Sequence, residues 1–403
     1  MLAPPAAAAD LSVVSFSEAL AAAEQAAPAL SAAAARHEAA RHVAVAAGEL
    51  PDPKLVLGLD NLPVSGDDNW PLSRDFMTMQ RVGVSQDLPN AGKRKARVAL
   101  ADAAIADTEF ATRSARLKVR RETALAWLAA YFASAGLVPL DALVTENGLF
   151  ERSIAARHAA GTASASDVLL PKREALMLAE RRDDLSAAQA SAEFELERLL
   201  GHPVAVAADA EPPQFSIDSE HLRTHLSQHP DLLMYEAKLA GANAAVREAE
   251  AGRRPDWNVA VSYQHRGPRY GEMISAEVSI DLPLFTAHRQ NPLIAARISE
   301  VAALDDERAD MLRSHTADLE RDIADYQRRE RQHQRIVTAG LPLAEQALAL
   351  AYRGYGASTT SLAELLEARR ARAETRLRAL DLRAATLEAA AQLYFTYEGG
   401  EHD

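Results

Sequence analysis

The 403-residue chain contains no cysteine. That excludes disulfides, thiolate zinc sites and a cysteine nucleophile. It leaves the compartment open, though it suits an oxidising one. Aromatic residues are scarce, at 5%. Basic residues are outnumbered, and the formal net charge of -13 makes the surface repel phosphate backbones, so no nucleic-acid partner is expected. No nucleophile–base pair, phosphate loop or dinucleotide motif is present. Gly354-Tyr355-Gly356 has no strand before it. The chain reads as neither an enzyme nor a cofactor carrier.

Long apolar runs are missing too. Thr123 to Leu140 lacks charge but is rich in Ala and Ser and contains Gly136 and Pro139. A spanning helix needs about 20 mostly apolar residues, so this stretch reads as the tip of a soluble helix. Met1 to Ala9 has neither a basic region nor a long apolar core. It is not an intact signal peptide; a tagged or trimmed mature start is the preferred reading, and a remnant cut at the small residues Ala7-Ala8-Ala9 before Asp10 is the other.

What remains is 48% hydrophobic and 25% charged, too apolar for a disordered chain. Ala dominates, with Leu, Arg and Glu behind it, the composition of long, closely packed helices. The length suits two or three ordinary domains or one elongated one.

The sequence is written twice. Ser15 to Leu20, then Ala27-Pro28, corresponds to Ser219 to Leu222, then His229-Pro230. Each is a short capped helix, a Pro break and a longer Ala-rich helix. Those helices stop at Leu50-Pro51-Asp52 and Arg254-Pro255-Asp256. The period then changes to two. Leu55, Leu57 and Leu59 alternate with weaker partners, and Val82 and Val84 lie in a less regular run. Trp257, Val259 and Val261, then Ile274, Val278 and Ile280, alternate more cleanly. The joining loops are Asn61 to Arg74 and Gly267 to Gly271.

Asp87-Leu88-Pro89 and Asp281-Leu282-Pro283 close the second strands. Long helices follow, from about Lys93 to Ala135 and Pro292 to Ala339, roughly 65 to 70 Å at ~1.5 Å per residue. Matching breakers, Gly136-Leu137-Val138-Pro139-Leu140 and Gly340-Leu341-Pro342-Leu343, are expected to turn them back. After Gly161 and Gly356, small polar runs restart helices at Ser164 and Ser361. The last helix carries a heptad seam through Leu366, Ala373, Leu377, Leu380, Ala384, Leu387, Ala391 and Tyr394. The organisation expected is a first repeat at 11–200 (strand pair about 54–88, long helices about 93–200), a linker at 201–217, and a second repeat at 218–398 (strand pair about 257–283, long helices about 292–398).

Strands of about ten residues can cross a bilayer when tilted. Four cannot close around a pore, and an open sheet in lipid leaves unpaired N–H and C=O groups. Three copies supply twelve strands. A soluble protein with two hairpins packed together fits the strand patterns equally well. The long Ala-rich helices shift the balance, because small residues on two sides suit a helix flanked by neighbours in a tube.

These features resemble the TolC family of outer-membrane efflux proteins over Leu11 to Tyr397. A narrower block resembles its heavy-metal branch, the CzcC and CusC type: Leu50-Pro51-Asp52-Pro53, Gly58 to Pro63, Arg74 to Met79, and Gln86 through Gly92-Lys93-Arg94. The resemblance implies a mainly α fold with a membrane β-barrel portion: a homotrimer with a twelve-stranded barrel, a periplasmic tube of helices, and an equatorial region built from the helix restarts and the chain ends. Its implied partners are a periplasmic adaptor and an inner-membrane resistance-nodulation-division pump. The short Pro268 to Gly271 loop and Thr286-Ala287-His288, where a Gly-rich turn is usual, depart from the pattern.

On that basis the adaptor-docking tips expected are Gly136, Leu137, Val138, Pro139 and Leu140, with Gly340, Leu341, Pro342 and Leu343. Asp141, Glu146 and Glu345 are candidate aperture carboxylates; solvated helix surface is the alternative for each. Lys93, Arg94 and Lys95 open a helix whose N-terminus disfavours cations, so some other charge must offset them. His221 and His225 have the i, i+4 spacing of a metal pair, but surface histidines explain them more simply. The function expected is a passive outer-membrane channel exporting heavy-metal cations. The alternatives are the same channel for drugs or secreted proteins, and a soluble periplasmic coiled-coil adaptor.

Overall fold

The computed structural model describes residues 12–65, 70, 72 and 75–398. Met1 to Ala9, Leu11 and Arg74 lie outside them. The fold is mainly helical with one small antiparallel sheet, and helices alternate with strand pairs twice along the chain.

The first half runs β1 (Ser12–Val13), α1 (Phe16–Ala26), α2 (Pro28–Ala47), β2 (Lys54–Asp60), β3 (Met79–Leu88), α3 (Ala91–Ala159) and α4 (Ala165–Leu200). The second runs β4 (Val204–Ala205), α5 (Ser219–His225), α6 (Pro230–Ala251), β5 (Trp257–His265), β6 (Met273–Ile280), α7 (Gln290–Arg335), α8 (Leu341–Gly356) and α9 (Leu362–Leu393). The chain forms two compact units. One comprises Ala33–Thr112 and Pro230–Leu312; the other takes the described residues of Met1–Ala32, Arg113–His229 and Arg313–Asp403.

In the first unit the sheet order is β2-β3-β5-β6. The seam between the two halves is β3 against β5, with Val82 opposite Tyr263 and Val84 opposite Val261. At Gly83 a side chain could not fit: an added Cβ would stand 2.7 Å from the Val261 carbonyl oxygen. The outer strands β2 and β6 each have one unpaired edge.

The other unit has its main core at the chain ends. Trp127, Leu196, Leu200, Val204 and Phe395 are buried together with Val14 and Ala19. Trp127 donates its indole N–H to the Val14 carbonyl at 3.1 Å and stacks on Tyr131 at 5.5 Å. The parallel bridge of β1 to β4 ties the N-terminus to the linker. The Thr123 to Leu140 stretch lies inside α3. That helix is long and apolar enough to cross a membrane by composition, but its most apolar window is 61% buried against the protein itself. Along α9, Leu366, Ala373 and Ala391 of the expected seam are buried. Leu362, Leu365, Arg369, Ala379, Ala390 and Leu393 are buried as well, so the helix is packed over more than one stripe.

Two expectations fail at the helix breakers. Gly136 to Leu140 does not turn the chain: α3 continues through Pro139 to Ala159. Gly340 to Leu343 does not turn it either. Gly340 and Leu341 keep helical dihedrals, and a π-helical segment, Ile336–Gly340, joins α7 to α8. The extra residue of a π-turn leaves Pro342 in the first turn of α8, where its missing N–H costs nothing.

Candidate functional site

The four strands place every sequence-expected strand residue on one face. Register aligns Leu57, Val82, Tyr263 and Ile274 in one row and Leu55, Val84, Val261 and Ala276 in another. Leu59, Val259, Val278, Trp257 and Ile280 follow the same parity. This face is bare: Leu57 is 71% exposed and Ile274 77%. The opposite face carries Arg81, Ser85, Ser262, Gln264, Ser275 and Glu277. On it Arg81 pairs with Asp60 at 3.2 Å, Lys54 with Asp87 at 2.6 Å, and Gln264 donates to Ser262 and Ser275 at 3.0 and 2.9 Å. A predominantly apolar exposed face is costly in water. Apolar-out, polar-in alternation is what a strand needs between lipid and an aqueous lumen.

At the foot of the sheet the chain returns to helix through a polar clamp. The Asn90 backbone N–H and side-chain amide both donate to Asp256 Oδ1, at 2.8 and 2.9 Å. Lys93 Nζ pairs with the other oxygen. Burial pushes the Asp256 carboxyl up, but Lys93 and Asn90 outweigh it and hold it below the ordinary range. Arg94 donates to the Gly48 carbonyl at 3.0 and 2.7 Å, and Arg97 pairs with Glu248 at 2.7 Å. The offsetting charge expected for this basic helix start therefore comes from α6 and the segment after it.

In the helical unit the true reversals lie at the Ser restarts. α3 ends on Gly161 at φ 72°, with the Thr162 N–H donating to the Arg157 carbonyl at 2.8 Å. Ser164 and Asp167 then cap α4 reciprocally, and Ser361 and Glu364 do the same for α9. The two reversals pack on one another through Ile154, Leu362 and Leu366, with Ala163, Val168 and Tyr355 against them. This corrects the equatorial assignment of the restarts: they form a cluster of their own, separate from the chain-end core.

Fold comparison finds close structural likeness over nearly the whole chain. A membrane protein from Pseudomonas aeruginosa superposes with a TM-score of 0.82 at 16% identity, covering 96% of this chain and 91% of that one. CusC, solved in work on folding and transmembrane channel formation, gives 0.81 at 17% identity, covering 97% and 93%. The CmeC outer membrane channel of Campylobacter jejuni gives 0.80 at 13% identity, covering 96% and 87%. Identities this low speak for the fold alone. No curated protein matches the sequence. Residues 222–397, nearly all of the second half, match the outer membrane efflux protein family.

The expected tip residues belong to helix bodies. Leu140 is fully buried, whereas Val138 and Leu343 are exposed, at 61% and 64%. The candidate aperture carboxylates are each engaged within the chain. Asp141 pairs with Arg182 at 2.9 Å, Glu146 with the buried Arg369 at 3.3 Å, and Glu345 with Arg372 and Arg376 at 2.9 and 2.6 Å. The hydrogen bond from Arg372 holds the Glu345 carboxyl below its ordinary range.

Sequence reasoning missed the groove beside these residues. The groove has a volume of about 520 Å³, and Leu140, Leu143, Met177, Leu178, Ala373 and Leu377 line its apolar part. Glu174, Arg181, Arg370, Glu374, Arg378 and Asp381 surround it. Burial pushes the Glu174 carboxyl up against the opposing pull of Arg369 and Arg370. The signal available was the heptad seam of α9, two of whose residues, Ala373 and Leu377, form one wall.

His221 and His225 do come together, with ring centroids 4.0 Å apart and an interplanar angle of 30°. His225 Nδ1 lies 3.0 Å from the His221 carbonyl oxygen.

Proposed function

We propose that this chain is the passive outer-membrane channel of a tripartite, proton-driven export system, assembled as a homotrimer. The observation that carries the proposal is the sheet: four strands with two unpaired edges, one apolar exposed face and one polar face. In lipid, only closure removes such edges. Three copies would give twelve strands, enough to enclose an aqueous lumen lined by the polar face. On this reading the repeats at 11–200 and 218–398 are two versions of one structural unit around the 201–217 linker.

The periplasmic adaptor would meet the end of the helical unit that bears the reversals at Gly161 and Gly356. A helical hairpin with a Leu/Ala stripe between charges of both signs fits the groove along α3, α4 and α9, where apolar walls are rimmed by Arg181, Arg370, Arg378, Glu374 and Asp381. The inner-membrane pump would supply the energy and the channel only the path. The sequence block from Leu50 to Arg94 favours heavy-metal cations as cargo. The test is native mass spectrometry of detergent-purified protein, together with deletion of the gene from its host. A trimer and selective metal sensitivity support the reading. A monomer that stays soluble without detergent overturns the channel. Sensitivity to drugs alone overturns the cargo.

A further inference from the structure

The second half holds a pair of imidazoles that a passive channel does not require. His229 and His315 face each other with ring centroids 4.6 Å apart and planes at 47°. A ring nitrogen of each lies within 4.8 Å of the other. Both residues are half-buried. Two imidazoles on one tetrahedral metal, with metal–nitrogen distances of about 2.0–2.1 Å, place their centroids about 5 Å apart. The observed spacing needs only a small opening to admit an ion. The His221/His225 pair is closer and more nearly parallel, a stack rather than a pair of converging lone pairs.

The backbone around the pair is fixed. His229 has extended dihedrals before Pro230 and caps a short 3-10 turn, Leu226–Gln228, through its N–H to the Leu226 carbonyl. Leu222 and Leu226 anchor that turn on Leu319 and Ile323 of α7, the helix that carries His315. The Tyr397 ring stands 6.1 Å from His229.

We infer that His229 and His315 bind a divalent transition-metal cation of the zinc class, which clips the turn before α6 to α7. A pair of imidazoles suits Zn²⁺, Ni²⁺, Co²⁺ or Cu²⁺ and not Mg²⁺ or Ca²⁺. The site differs in kind from a transit path: cargo must leave, whereas two imidazoles held on anchored backbone retain an ion. The inference does not rest on the proposed cargo, and a chain that conducts nothing still has this site.

The experiment is calorimetric titration of the full-length, detergent-solubilised protein with ZnCl2, with Co²⁺ absorption as a geometric readout. The expected result is one saturable site per chain and a visible Co²⁺ band of tetrahedral type. His229→Gln and His315→Gln are each expected to lower zinc affinity at least about tenfold and to abolish the band, with circular dichroism unchanged. The His221→Ala/His225→Ala double variant is expected to bind as wild type. Undiminished binding in either Gln variant overturns the assignment, and so does loss of binding in the double variant. Absence of conductance in planar bilayers would leave this titration unaffected, so the channel and the metal site fail separately.

Discussion

Asn90 and Asp256 stand 166 residues apart in sequence and meet through two hydrogen bonds to one carboxylate oxygen, at 2.8 and 2.9 Å. The bond pair joins the end of the first strand pair to the start of the second. It fixes where β3 gives way to α3 relative to where β5 begins.

Removing that carboxylate unpairs Lys93 and the Asn90 backbone N–H, while the Asn90 side-chain amide keeps its bond to the Ala251 carbonyl at 3.1 Å. Asp256→Ala should cost about 1.5–3 kcal/mol, the range for hydrogen bonds to a charged group. Asp256→Asn should cost less, because an amide oxygen still accepts from Asn90. Thermal unfolding of the two variants in detergent checks the order.

The β3–β5 seam depends on Gly83. Gly83→Ala places a methyl 2.7 Å from the Val261 carbonyl oxygen and from the Ser262 Cβ, so the strands must separate. A loss on the order of 1–3 kcal/mol is expected, read as a lower yield of heat-resistant oligomers. Gly148→Ala is the control: nothing lies within 4 Å of its added Cβ, and a helix-interior Gly→Ala change should stabilise by about 0.5–1 kcal/mol.

The helix reversals are held by reciprocal caps. Ser164→Ala and Ser361→Ala should each cost about 1 kcal/mol and speed hydrogen exchange in the first turns of α4 and α9. Exchange in β3 and β5 should not change. Hydrogen-exchange mass spectrometry resolves the two regions.

Glu388 gives a pH signature. Burial pushes its carboxyl up, with Arg329 pulling the other way. Its folded pKa therefore lies above its unfolded one. Below the ordinary carboxylate range both states are protonated and no penalty exists. As pH rises through the folded pKa, the buried charge costs stability. Glu388→Gln should raise the unfolding temperature at pH 7 and leave it unchanged near pH 4. A gain of equal size at both values would rule out burial of the charged carboxylate as the cause.

Much of this fold could be read in the sequence because local chemistry agreed with the tertiary result. Period-two alternation placed all four strands, and register then gathered their apolar residues on one face. Ser164 and Ser361, each followed three residues later by an acid, marked true helix starts. The reversals were misplaced because Gly136, Pro139, Gly340 and Pro342 look like breakers in isolation. Burial along α3 outweighs the local cost of Pro139, and the π-turn before α8 absorbs Pro342. The ion pairs of Asp141, Glu146 and Glu345 were invisible because their arginine partners come from other helices. His315 was missed for a related reason: it lies 86 positions after His229, beyond the reach of any spacing rule.

Above all, copies of this chain are expected to close their sheets into one aqueous pore through a bilayer. Single-channel recording of the detergent-purified protein in planar bilayers tests this most directly. Discrete, reproducible conductance steps are predicted, and Gly83→Ala should make them rare in proportion to its lost oligomer. A wild-type protein that leaves the bilayer silent, while remaining a monomer without detergent, would contradict the channel.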